Sequence, residues 1–297
     1  MKKTLIALAT LGVVGAASAQ VTISGDLSYG FRGSKVNATN VVTDGFGMRT
    51  SNITFSVSED LGGGLTVSGS MGMDGVNSNT DITGNSGSLA LSGGFGKLTL
   101  SANEEAANGI IGNSAGVNIA DMDIGFKTAA SSTDSFTYAM PAMNGVTASV
   151  TVFNDTAGFG TGTHLQSIYT VGYATGPLSA KVDMTDYTAA GKSNRTRINA
   201  SYDLGMAKFT IGNSRGGVTS GKNDQTVWGI SVPMGAVTLG VGSASANTGT
   251  KVSASGVSAT YAMSKQTSVV FSTATASGTI PTTGDKKRTE IYIKKAF

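Results

Sequence analysis

The chain has 297 residues, no cysteine, 13% charged side chains and a formal net charge of +3. Cysteine zinc centres and thiol catalysis are thereby excluded, and so small a charge gives no electrostatic case for nucleic acid. Beyond the N-terminus no run of about 18 apolar residues occurs, so the sequence carries no transmembrane helix. At the N-terminus, Lys2 and Lys3 precede the apolar stretch Thr4–Ala16, and Ala17-Ser18-Ala19 stands ahead of Gln20. That order is a secretory signal peptide over 1–19, leaving 20–297 as the mature chain.

Val21–Arg32 then sets the pattern of the mature chain. Val21, Ile23, Gly25, Leu27, Tyr29 and Phe31 fall on one parity, and Thr22, Ser24, Asp26, Ser28, Gly30 and Arg32 on the other. Successive side chains of an extended chain point to opposite faces, so one face is apolar and the other polar. Such alternation is long for a soluble strand and matches the roughly nine to eleven residues of a tilted membrane-crossing strand.

The pattern recurs in order. Asn52–Ser58 places Ile53, Phe55 and Val57 on the apolar parity and turns through Glu59–Gly64 into Leu65–Met73. After the polar loop Asp74–Asn85, Gly87–Ser92 turns at Gly93-Gly94-Phe95-Gly96 into a strand with Leu98 and Leu100. The longest break follows, from Asn103 to about Ser131. Strands around Phe136–Met140 and Val146–Val152 are joined at Pro141–Gly145. Asn154–Leu165 leads to Tyr169–Tyr173 and Leu178–Met184. Ile198–Tyr202 follows, with Arg195, Arg197 and Asn199 opposite, then Phe209–Ile211. Trp228–Val232, Val237–Val241, Val257–Tyr261, Val269–Phe271 and Lys286–Phe297 complete sixteen strands, seven short turns and eight longer loops.

This alternation of turn and loop predicts an all-β, 16-stranded antiparallel transmembrane β-barrel, with short turns on the periplasmic side and long loops outside. Phe95, Tyr138, Tyr173, Tyr202, Tyr261 and Phe297 all stand near short turns or the C-terminus, as an interfacial aromatic girdle requires. Closure leaves no unpaired strand edge in hydrocarbon, and a barrel of sixteen strands is wide enough to hold water.

Several stretches resemble the Gram-negative general porin family. They are NITFSVSEDLGGGLTVSGSMGMDG and SGSLALSGGFGKLTL within Asn52–Asn103, then TYAMPAMNGV, ASYDLGMAKF, TYAMSKQTSV and the terminal IYIKKAF. The resemblance implies an outer-membrane homotrimer whose barrels pass ions and small polar solutes passively and without a cofactor or metal. It implies outer-membrane lipid and the insertion machinery as further partners, the latter reading the terminal Phe297 as its signal. It also implies that the third long loop, Ala102–Lys127, folds inward as a constriction. Glu104, Glu105, Asp121 and Asp123 of that loop would face lumen-parity Arg32, Lys181, Arg195, Arg197 and Lys208, with the Ile110-Ile111 pair packed on the inner wall. Asn52 and Ala102 align where many family members carry arginine; Arg49, three residues from Asn52, falls by parity at the rim.

Two other classes fit the sequence less well. A barrel enzyme with a serine nucleophile needs a histidine base, and the single histidine, His164, lies in the polar loop Asn154–Leu165. A secreted β-rich adhesin or solenoid would repeat at a fixed period, whereas these connections alternate and the chain ends in phenylalanine.

Overall fold

The computed structural model describes residues 20–75, 82–103, 117, 122, 132–155 and 163–297. The strands are β1 (Gln20–Val36), β2 (Val42–Gly62), β3 (Leu65–Asp74), β4 (Thr83–Gly93), β5 (Gly96–Asn103), β6 (Thr133–Ala139), β7 (Val146–Asp155) and β8 (His164–Thr175). They continue with β9 (Leu178–Tyr187), β10 (Arg195–Asp203), β11 (Lys208–Gly216), β12 (Asp224–Met234), β13 (Val237–Asn247), β14 (Lys251–Ala262), β15 (Thr267–Gly278) and β16 (Asp285–Ala296). Each pairs antiparallel with its sequence neighbours, and β1 pairs with β16, so the sheet is a closed barrel. Residues 1–19, read from the sequence as a signal peptide, and Ile110, Ile111, Glu104, Glu105, Asp121 and Asp123 lie outside the described residues.

The burial pattern is that of a soluble protein turned inside out. Leu27, Tyr29, Met71, Leu89, Leu100, Tyr169, Met184, Ile211, Val257 and Ile293 are exposed on the outward parity. The opposite parity buries polar groups instead, among them Ser28, Asp183, Ser214, Gln225, Ser258, Ser272 and Glu290. An apolar belt of this size is stable only against hydrocarbon. Among the described residues no helix is long and apolar enough to cross a membrane.

The connections differ from the sequence expectation in one respect. Strand two runs from Val42 rather than Asn52, and the first connection occupies only 37–41; β13 and β14 join through 248–250. Long and short connections therefore do not alternate strictly. The cause lies in composition: in Ser243–Asn247 and Lys251–Ser255 the apolar residues Ala244, Ala246, Val252 and Ala254 stand on the lumen parity and the serines face outward, so backbone pairing continues after the apolar-out pattern has reversed. At the opposite end the turns are tight. Met143 and Val146 exchange backbone hydrogen bonds of 2.9 and 2.8 Å around Asn144 and Gly145, whose φ values of 50° and 82° suit a two-residue hairpin.

The seam between the first and last strands has its own fastenings. Gly25 and Phe297 exchange backbone hydrogen bonds of 3.1 Å each. On the lumen face Lys294 Nζ lies 3.3 Å from Asp26 Oδ2, and Ser34 Oγ donates to Asp285 Oδ2 at 3.1 Å. A Cβ at position 25 would run first into the backbone carbonyl of Asn52 on β2 and then into the Phe297 ring, whose Cζ lies 2.8 Å from where it would stand. Gly25→Val should therefore displace the ring and lower the folded yield, measured as the heat-modifiable band on a gel. The same substitution at Gly47, where a Cβ would meet nothing within 4 Å, should leave that yield unchanged.

Candidate functional site: the charged walls of the lumen

On one wall, lumen-facing Arg32 of β1 stands in register with Glu290 of β16. Arg32 Nε donates to Glu290 Oε1 at 2.6 Å, while Arg49 Nε donates to Glu290 Oε2 at 3.3 Å. Glu290 is 2% exposed, so its carboxylate is held between two guanidiniums, away from water. The Arg49 guanidinium also lies over the Tyr292 ring, 4.6 Å from its centroid. Arg32, Arg49, Glu290 and Tyr292, with Gly30, Gly45 and Gly47, line a cavity of about 330 Å³.

Arg49 reaches the lumen through a β-bulge, not at the rim where parity puts it. The β1–β2 register shifts between Ser28 and Tyr29, pairing Ser28 with Thr50 but Tyr29 with Met48. Arg49 is the extra residue, and beyond it the inward parity of β2 is reversed. Asn52, below the bulge, faces the lumen and accepts a 3.0 Å hydrogen bond on Oδ1 from the Asp26 backbone N–H.

The second charged wall is β8–β10, and β9 lies eight strands from β1 in the ring of sixteen, diametrically opposite. Lys181 Nζ is 3.1 Å from Asp183 Oδ2, and Thr170 Oγ1 donates to Asp183 Oδ1 at 2.7 Å. Arg197 stands opposite Asp183, and Arg195, only 4% exposed, opposite Thr185. The Tyr187 ring has the Lys192 ammonium 3.8 Å from its centroid and the Arg195 guanidinium at 5.7 Å. Burial, and then the nearby charge of Arg195, lower the pKa of Lys192 from the usual lysine range. Lys208 keeps lumen parity but pairs with Asp203 at the short-turn end, eight residues along the ladder from Arg195.

Between these walls the lumen face of β12–β15 carries a run of small apolar side chains. Val227, Ala244, Ala246, Val252, Ala254, Ala274 and Ala276 form one buried cluster with Val117 and Met122, both 0% exposed. Val117 and Met122 belong to the connection between β5 and β6, so that connection reaches the inner wall at these two residues. Sequence reasoning selected Ile110-Ile111 for this packing and overlooked Val117 and Met122. Glu290 was also missed, because its partner Arg32 is 258 residues away along the chain. The signal for Arg49 was present in Gly45-Phe46-Gly47, since glycines inside a strand pattern often accompany a bulge.

A closed barrel with an apolar exterior and charged walls facing across its interior defines a membrane channel. The comparisons specify the class: the description Gram-negative porin matches residues 4–279, and the chain belongs to that family. It is an outer-membrane porin, a channel for passive diffusion of ions and small hydrophilic solutes. No curated protein matches the sequence. Among solved structures, the anion-selective porin from Comamonas acidovorans superposes with a TM-score of 0.75 at 19% identity, covering 94% of this chain and all of that one. A triple mutant of Rh. blastica porin superposes with a TM-score of 0.69 at 13% identity, covering 94% of this chain and 100% of its own. At these identities the likeness is one of fold.

The bulge makes a prediction. Arg49→Gln removes a lumen charge and should move the reversal potential in a salt gradient toward cation preference, by about twofold in permeability ratio. Arg215→Gln, on the outward parity and paired with Asp224, should leave it unchanged.

Proposed function

We propose that this porin, after loss of 1–19, works as a homotrimer whose solute path is narrowed by the third long connection. The observation that carries this reading is the burial of Val117 and Met122 among lumen-facing alanines and valines of β12–β15. An apolar contact of that kind holds a connection against the wall without satisfying any of its charges. On this reading Glu104, Glu105, Asp121 and Asp123 oppose Arg32, Arg49, Lys181, Arg195 and Arg197, and the transverse field orients dipolar solutes and weights ion passage. Asn52 adds a neutral hydrogen-bonding site to the path, and Lys208 acts at the periplasmic mouth.

Assembly is supported by a flat patch on the outward face of β3–β5. Gly69, Gly87 and Ala102 lie there in adjoining register positions, beside exposed Met71, Leu89 and Leu100. Small residues let another barrel approach closely, and lipid fills the remaining perimeter. Phe297, on the outward parity at the seam, acts as the recognition signal for the insertion machinery. The role is that of a channel and not of an enzyme.

One planar-bilayer experiment tests these points together. Folded protein should insert as units that conduct and close in three equal steps. Replacing Glu104, Glu105 and Asp121 by amides should shift the reversal potential toward anions at low salt, where screening is weak. Asp81→Asn, in the second long connection, should shift it much less. Single-step closure contradicts the trimer; equal small shifts at both places contradict the constriction.

A further inference from the structure

The short turns carry a side chain that turn geometry does not ask for. Met140 and Met143 lie between β6 and β7, Met206 between β10 and β11, Met234 ends β12, and Met263 follows β14. All five are exposed, between 45% and 75%. Glycine, proline, asparagine, aspartate and serine recur in turns because they supply special φ values or bond the backbone, and a thioether does neither. The backbone holds these turns unaided. The Met140 N–H donates to the Ala148 carbonyl at 2.9 Å, and the Met263 N–H to the Thr267 carbonyl at 2.9 Å.

Burial in hydrocarbon does not explain them either. Met140 and Met263 each stand two residues beyond a girdle tyrosine, Tyr138 and Tyr261, and so in the wet interfacial layer. Leu61 and Leu204 are exposed at the same level, so an ordinary apolar side chain is accommodated there, and sulfur is what sets the five apart. They do not form one patch. The turn between β8 and β9, at Gly176 and Pro177, interrupts them, and they extend along roughly 40 Å of rim at about 4.8 Å per strand. Among the described residues the connections at the other end carry no exposed methionine, since Met122 is fully buried.

We propose that Met140, Met143, Met206, Met234 and Met263 form an oxidant-trapping rim at the periplasmic mouth, where hypohalous acids that enter through the pore are consumed. The channel supplies the path, since hypochlorous acid is a small polar solute, and the inference rests on the periplasmic placement of the short turns. The sulfur lone pair takes chlorine from hypochlorous acid and releases hydroxide. Water then adds to sulfur as chloride leaves, and loss of its two protons, one of them to the hydroxide, leaves the sulfoxide. Sulfur is oxidised by two electrons, chlorine is reduced to chloride, and one proton is released overall. The sulfoxide is a reversible product. Because these side chains lie outside the strand ladder, the polar group they gain breaks no barrel contact.

The test uses the folded mature chain in discs of saturated phosphatidylcholine, a lipid with neither a primary amine nor a double bond to compete. Hypochlorous acid is added stepwise, and sulfoxide at each methionine is read by peptide mass mapping. The five rim methionines should convert before any other. Met71 and Met184, exposed at 63% and 57% but on the lipid parity, should remain thioethers, as should buried Met122. Equal conversion of Met71 and Met184 overturns the rim. A second measurement reads the trapping itself: chloramine formed on the lysines is counted after each addition by its oxidation of iodide. The natural chain should consume about five equivalents before chloramine appears, one per rim thioether. With all five methionines replaced by leucine, chloramine should form from the first equivalent, and an identical onset in both chains overturns the trap. Folding of the variant is read from heat-modifiable migration, and the mapping needs no variant at all. Neither measurement uses current, so failure here leaves the channel reading standing.

Discussion

Every backbone N–H and C=O of this porin that enters hydrocarbon must find its partner within the protein, because an unpaired group there is destabilising by several kcal/mol. The sixteen strands meet that demand only when β1 joins β16, since any open edge would present a whole row of unsatisfied groups. Seam chemistry is concentrated accordingly. The paired backbone of Gly25 and Phe297, the Asp26–Lys294 bridge, the Arg32–Glu290 bridge and the Ser34–Asp285 hydrogen bond all join the first strand to the last. Once closure is fixed, parity divides every strand into a lipid face and a water face, and the channel follows from that division.

The water face is not uniform, and its three sectors have different physical roles. The β1–β2–β16 wall holds a buried carboxylate between two arginines, and removing that carboxylate would leave two guanidiniums facing each other. Opposite, β8–β10 stacks lysine and arginine side chains against Asp183 and the Tyr187 ring. Between them, β12–β15 presents alanine and valine toward Val117 and Met122. Charge on two walls and an apolar shelf on a third make the water face chemically uneven around the ring.

Legibility of the sequence followed the strength of its period. Val21–Phe31 alternates without interruption, and its strand, its face and its place beside the terminal strand could all be read from residue order. Where alternation failed, so did the reading. The bulge at Arg49 reverses parity, which concealed both the upper half of β2 and the inward turn of the arginine itself. In Ser243–Asn247 and Lys251–Ser255 the apolar residues switch to the lumen parity, so paired strand passed for loop. The lumen bases Arg32, Lys181, Arg195 and Arg197 were legible from parity alone. Their partners were not, because Glu290 is 258 residues from Arg32 and only barrel closure brings the two together. Val117 and Met122 lie in a stretch without periodicity and gave no signal of their own, while the Ile110-Ile111 pair chosen for that contact lies outside the described residues.

The absence of native cysteine allows the division of faces to be measured directly. Single substitutions Thr22→Cys, Ser24→Cys and Ser56→Cys sample the water parity of β1 and β2; Ile23→Cys, Phe55→Cys and Val57→Cys sample the lipid parity. A charged, membrane-impermeant thiol reagent is applied to the protein in a bilayer while current is recorded. The account predicts rapid modification and a stepwise fall in current at positions 22, 24 and 56, with no reaction at 23, 55 and 57. Equal reaction on both parities, or modification at 22, 24 and 56 without any change in current, would contradict a water-filled channel bounded by this face.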